Sequence, residues 1–255
     1  MNAVEVERRG AVLWARIARP ERANACGSDV MAALEGWLEQ GRDQGVRVLV
    51  LTGTGGSFCA GADLKEAATL VGDHDALLAF LRRGRDLVAA IREAPVPVIA
   101  AVNGVAYAGG LELLLACDVA VAGASAQVGD RHLAQGQVPG WGSSALLPAA
   151  VGRATATRLL LGAESLDAAE ALRIGLVSEV VDDHLLDEHV TTLADTIALY
   201  DAVAVDRMLR LTRRDPADLA TAAAWEWQVL QEHAASVGAR DHVVRFSSPS
   251  PAEES

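Results

Sequence analysis

The amino-acid sequence predicts an α/β fold, on three observations. Two short β-branched runs, residues 46–52 (VRVLVLT) and 96–102 (VPVIAAV), have the mostly apolar character of strands buried on both faces of a parallel sheet. Strand-like and helix-like stretches alternate with short connections, as in folds built from strand–helix crossovers. A chain of 255 residues, 51% of them hydrophobic, is long and apolar enough for one large core.

The elements follow in order. Residues 4–17 read as two short strands around an Arg9-Gly10 turn. Ser28 and Asp29 then read as the cap of a helical run carrying Met31, Leu34 and Leu38. The run 46–52 is the first buried strand, residues 73–92 a long helix, and 96–102 the second buried strand. Residues 109–116 read as a short helix and 119–122 as a further strand. From about residue 143 the pattern is helical except for a strand at 177–181, and after about residue 191 it is helical only. The expected organisation is a core over 1–190, a helical region over 191–246, and a tail over 247–255 (SSPSPAEES) with the composition of disorder.

Composition narrows the function. The formal net charge is −12, which argues against nucleic acid or an anionic membrane surface as a partner of the whole surface. A small anionic ligand then needs a local basic patch, and Lys65 is the only lysine in the chain. Cys26, Cys59 and Cys117 are scattered, with no C-x-x-C pair and no disulfide framework, which fits a reduced cytoplasmic setting. No run has membrane-spanning length without charges or glycines. His74, His184, His189, His233 and His242 show no metal-ligand spacing, so no metal is expected.

The chemistry lies in two segments where a buried strand runs into a glycine-rich turn, VLVLTGTGGSFCAGADLKE (48–66) and VIAAVNGVAYAGGLELLLACD (98–118). Glycine lets a backbone approach a ligand closely with its N–H groups turned outward. Two such turns side by side can present two amide donors to one oxygen, the geometry of an oxyanion hole. A dinucleotide-binding reading fits poorly, because Gly53, Gly55 and Gly56 do not make G-x-G-x-x-G. Glu112 stands out, three residues after Gly109 on an apolar helix where a carboxylate is costly to bury without a role.

These segments resemble the enoyl-CoA hydratase/isomerase (crotonase) family. SFCAGADLKE (57–66) is similar to its first signature, and PVPVIAAVNGVAYAGGLELLLACD (95–118) to its second. RPERANA (19–25) is similar to an early element, and residues 136–181 to the later G-x-x-P-G-x-G region and its helices. The resemblance implies a spiral of ββα units with a C-terminal helical trimerisation region, assembled as a homotrimer or as a hexamer of two trimers. It implies an acyl-CoA substrate and no cofactor beyond the coenzyme A of that substrate. By the same resemblance, the amides of Ala62 and Gly109 form the oxyanion hole and Glu112 is catalytic. Ala25, Ala60 and Leu64 line the coenzyme A site together with Asp63, and Arg22 and Lys65 supply positive charge, with Arg19 in the same element.

One position departs from the family pattern. Hydratases carry a second glutamate four residues before the glycine that opens G-x-x-P-G; here that glycine is Gly136 and the position holds His132. Histidine titrates near neutrality and can act as acid or base, so His132 joins Glu112 as a candidate catalytic residue. The expected activity is enoyl-CoA hydration or isomerisation. Another enolate reaction such as decarboxylation, or acyl-CoA binding without catalysis, stays open at this point. Trp141 stands where the family element has a small residue, either shaping the acyl pocket or simply packing.

Overall fold

The computed structural model describes residues 2–213 together with residues 227 and 231. The tail expected at 247–255, and the helical region expected beyond residue 213, lie outside the described residues.

A hairpin opens the chain. β1 (Val4–Arg9) pairs antiparallel with β2 (Val12–Ile17), and Gly10 turns between them at φ +60°. α1 (Ser28–Gln40) follows. Its expected side-chain cap is replaced: Ser28 is the first helical residue, and its N–H donates at 3.0 Å to Glu66 in α2 (Leu64–Leu70). The terminus is therefore held by tertiary contact rather than by its own sequence.

Three strand pairs then share one plan. In each, the first strand joins a large sheet and the second joins a small one. The pairs are β3 (Val48–Gly53) with β4 (Ser57–Cys59), β5 (Val98–Val102) with β6 (Val105–Tyr107), and β7 (Val119–Gly123) with β8 (Gln127–Gly129). Two helices, α2 and α3 (His74–Arg92), follow the first pair, and α4 (Gly109–Ala116) follows β6. After β8 come α5 (Ser143–Val151), α6 (Arg153–Gly162), β9 (Leu166–Asp167), α7 (Ala168–Arg173) and β10 (Glu179–Val181). The large sheet has the order β1-β2-β3-β5-β7-β10 and the small one β4-β6-β8-β9. The expected spiral of ββα units is this repeated crossing between two sheets.

The large sheet is parallel from β2 to β10 and covered on both faces, which is why its central strands read as apolar runs rather than alternating ones. Leu49 and Leu51 of β3 face the main core with Trp37, Leu87 and Ile91, while Val48 and Val50 face the opposite side. There α8 (Leu186–Ala198) lays Leu186, Val190 and Ala194 over Trp14, Ile99 and Val121. α8 starts before residue 190 and belongs to the packing of the core. α9 (Ala202–Thr212) leads to Arg213, whose guanidinium grips Asp118 at 2.7 Å and the Ala94 carbonyl at 2.6 Å. No described helix is long and apolar enough to cross a membrane.

Candidate active site

The small sheet brings the two glycine-rich turns together. β4 and β6 run parallel, with a shift of register between Ser57 and Cys59, so the turns that leave them lie side by side. The approach is too tight for most side chains. A Cβ on Gly61 would sit 3.1 Å from the Gly109 nitrogen and from the Tyr107 oxygen, and one on Gly110 would sit 1.9 Å from the Cys59 oxygen. A Cβ on Gly109 would lie 3.2 Å from the Ala62 nitrogen, which puts the two predicted oxyanion amides next to each other. Ala108, between β6 and α4, is held at φ 49°, ψ −117°, a conformation that strains any residue with a Cβ. That twist starts α4 at Gly109, whose N–H is among the donors a helix cannot satisfy itself, at the positive end of the helix dipole.

Glu112 lies one turn into α4 and is 1% exposed. Its Oε1 accepts the N–H of Trp141 at 2.8 Å and the N–H of Ser143 at 3.0 Å. Its Oε2 stands 4.0 Å from Nε2 of His132. The two candidate catalytic side chains therefore converge, beyond direct hydrogen-bond length but within reach of one small molecule held between them.

His132 is itself oriented. Asp130, 1% exposed, accepts at Oδ1 from His132 Nδ1 at 3.0 Å and from the His132 N–H at 3.3 Å. Its Oδ2 accepts the Ser143 hydroxyl at 2.6 Å. Burial alone would push the Asp130 carboxyl up, but the hydrogen bond and charge of His132, with the Ser143 hydroxyl, hold it below the usual carboxylate range. With Nδ1 engaged by an anion, Nε2 is the nitrogen that faces Glu112. Arg131, between the two, adopts φ 57°, and its guanidinium donates to the Ala163 carbonyl at 3.1 Å. Asp130 and Ser143 were not among the site residues expected from sequence. The D-x-H spacing was visible, but nothing local showed that the backbone bends there.

The residues expected to receive coenzyme A gather around a third segment. The early element docks on the first turn through Cys26 N–H to Gly61 carbonyl (2.7 Å), Ala60 N–H to Ala23 carbonyl (3.0 Å) and Asp63 N–H to Cys26 carbonyl (3.1 Å). This brings half-buried Ala25, Ala60 and Leu64 into one neighbourhood. Buried Asn24 clamps the loops by donating to the carbonyls of Thr54 and Ser57. Asp63 turns inward. It caps α2 through the N–H groups of Lys65 and Glu66 and pairs with Arg22 at 2.8 Å and Arg19 at 3.1 Å. Burial would raise its carboxyl, yet Arg22, the Glu66 N–H and Arg19 keep it below its usual range. Lys65 and Arg22 are exposed beside it, so the local positive charge faces solvent over a buried counter-ion.

The cysteines offer no nucleophile. Burial pushes the Cys59 thiol up to about 12, and the thiols of Cys26 and Cys117 also upward. No cluster of three or more metal-ligating side chains occurs among the described residues.

Comparison with known proteins points one way. The enoyl-CoA hydratase/isomerase family model matches residues 7–245. The short-chain-enoyl-CoA hydratase of Clostridium acetobutylicum is 34% identical over 254 residues, covering 96% of this chain and 95% of that protein. A probable enoyl-CoA hydratase of Rhizobium meliloti is 39% identical over 216 residues, covering 81% of this chain and 82% of that one. Among solved structures, the enoyl-CoA hydratase from Bacillus anthracis superposes with a TM-score of 0.80 at 31% identity, covering 91% of this chain and 90% of that one.

Proposed function

The chain belongs to the enoyl-CoA hydratase/isomerase family, and from that premise we propose that it is an enzyme adding water across the double bond of a 2-enoyl-CoA thioester. The observation that carries this reading is the 4.0 Å gap between Glu112 Oε2 and His132 Nε2, beside the adjoining amides of Ala62 and Gly109. A water bridging two groups at this separation can hydrogen-bond both.

The geometry supports the following steps. The thioester carbonyl oxygen takes the N–H groups of Ala62 and Gly109, where the negative charge of the enolate develops. Glu112 Oε2 accepts a proton from water as the water oxygen bonds to C3. Protonated His132 then delivers the Nε2 proton to C2, giving the 3-hydroxyacyl thioester. Transfer of the proton from Glu112 to His132 restores both groups. The two backbone N–H donors on Oε1 hold Glu112 in place, and Asp130 stabilises the imidazolium form of His132. Ala25, Ala60 and Leu64 receive the nucleotide end of coenzyme A, with Arg22 and Lys65 meeting its phosphates and Asp63 fixing Arg22.

The test is incubation of the purified protein with 2-enoyl-CoA and, separately, 3-enoyl-CoA, with products separated by chromatography and mass spectrometry. Hydration of the 2-enoyl thioester is expected, falling roughly 100- to 10,000-fold in Glu112→Gln. No hydration by protein that binds coenzyme A thioesters refutes the reading. Product from the 3-enoyl thioester alone transfers it to isomerisation.

The same reading carries no cofactor beyond the substrate's coenzyme A, a cytoplasmic setting, and assembly as a trimer or a hexamer of two trimers. Leu199 (86% exposed), Tyr200 and Met208 present apolar surface near the end of the described chain, which supports subunit contact there. A monomer by light scattering would overturn the assembly.

A further inference from the structure

We propose that the indole of Trp141 is the end wall of the acyl pocket, restricting the enzyme to short acyl chains, and that the cavity behind the ring is the space a long chain would need. The proposal rests on the acyl-thioester reading of the site.

The ring lies across two glycines. A Cβ on Gly109 would be 2.5 Å from Trp141 Cζ3 and 2.8 Å from Cε3. A Cβ on Gly84, in the middle of α3, would be 2.0 Å from Cε2, 2.2 Å from Cζ2 and 2.5 Å from Nε1. The benzo edge thus rests on the oxyanion turn, and the pyrrole side is seated in a notch of α3 that exists only because residue 84 has no side chain. Glycine in a helix interior costs about 1 kcal/mol relative to alanine; here it makes room for an aromatic ring. The ring is 4% exposed, and its own N–H on the backbone is bonded to Glu112. The ring is thus held by packing on Gly109 and Gly84, and the backbone that carries it is tied to Glu112.

Trp141 also lines a cavity of about 590 Å³ with a mostly apolar surface, to which Val88, Ala89, Ala145, Leu146 and Leu209 contribute alongside five charged residues, Arg92 and Asp206 among them. That size falls within the range of small-molecule pockets, about 300–1,000 Å³. A carbonyl carbon held at Ala62 and Gly109 has only two substituents. One is the sulfur leading to coenzyme A; the other is the acyl chain, which must leave the turn past its neighbours. The ring spans the space between Gly109 and α3, and it also lines the cavity. A chain of a few carbons ends at the ring, and a longer one must displace it.

The experiment measures affinity first, because binding does not require turnover. Saturated acyl-CoA thioesters of two to twelve carbons are titrated against the full chain. Affinity should rise about fourfold per methylene, the value of burying one, and then stop rising or fall once the chain meets the ring. A continued rise to twelve carbons overturns the wall. The second readout is kcat/KM for four-carbon and twelve-carbon 2-enoyl-CoA in the wild type, Trp141→Leu and Trp141→Phe. The ratio should move toward the long substrate by about tenfold or more in Trp141→Leu and less in Trp141→Phe. An unchanged ratio in an active Trp141→Leu protein also overturns the wall. If Trp141→Leu does not fold, the wild-type titration alone decides. A length cut-off with no hydration of any 2-enoyl thioester keeps the wall and refutes the hydratase reading. Equal hydration of both lengths does the reverse.

Discussion

Asp130→Asn tests whether His132 is a working acid or a bystander. Asp130 touches no substrate in the proposed mechanism; it acts only through His132 and Ser143. The substitution is nearly isosteric but removes the negative charge that faces Nδ1 at 3.0 Å and replaces one acceptor oxygen with a donor amide. A hydrogen bond to a charged group is worth about 1.5–3 kcal/mol. If that stabilisation is needed while the imidazolium waits to deliver its proton, kcat falls roughly 10- to 150-fold. KM should change little, because the coenzyme A end and the oxyanion amides are untouched. The pH profile carries the stronger test. His132 and Asp130 each favour the charged form of the other, so loss of the carboxylate makes the imidazolium easier to deprotonate. The alkaline limb of kcat should therefore move to lower pH. The assay is initial-rate loss of the conjugated 2-enoyl thioester absorbance across pH, with circular dichroism as a check on folding. A folded Asp130→Asn protein with wild-type kcat and an unmoved alkaline limb would remove His132 from the mechanism.

Three further outcomes follow from the geometry. Gly110→Ala places a Cβ 1.9 Å from the Cys59 oxygen, a backbone atom that cannot swing aside; a loss of about 3 kcal/mol should appear in denaturant unfolding, together with loss of activity. Asp63 has a depressed carboxyl pKa in the fold, so its contribution to stability is complete above the unfolded value of about 3.9 and is lost as pH falls through the folded one. Asp63→Asn should lower the melting temperature at neutral pH and flatten its decline in acid; an unchanged acid slope would refute this. Cys26 and Cys59 are buried with raised thiol pKa values, so a thiol reagent should label them only at the rate of unfolding.

Much of the fold was legible, for a physical reason. Strands buried on both faces leave apolar runs, and 48–53 and 98–102 are such runs. β4, β6 and β8 have three residues each and β9 only two, too few for any period to show, and the small sheet they form was not anticipated. Yet that sheet sets the two turns side by side. The turns were readable because close backbone approach demands glycine at Gly61, Gly109 and Gly110. The Ser28 cap was misread because local preference gave way to Glu66, distant in sequence. Asp130 was not among the expected site residues. Its contacts with His132 and Ser143 depend on a tertiary arrangement around a left-handed residue, Arg131, where arginine gives no cue. Trp141 was noticed, but its seat on Gly84 links residues 57 positions apart that no local pattern connects.

Ser143 touches both halves of the proposed proton path. Its N–H holds Glu112 Oε1 and its hydroxyl holds Asp130 Oδ2, so the base and the support of the acid hang from one residue. Ser143 thus forms a short bracket between the two sides, bonded through a peptide nitrogen at one end and a side-chain oxygen at the other. A change at Ser143 therefore reaches the proposed base and the support of the proposed acid at once, through two different atoms of one residue.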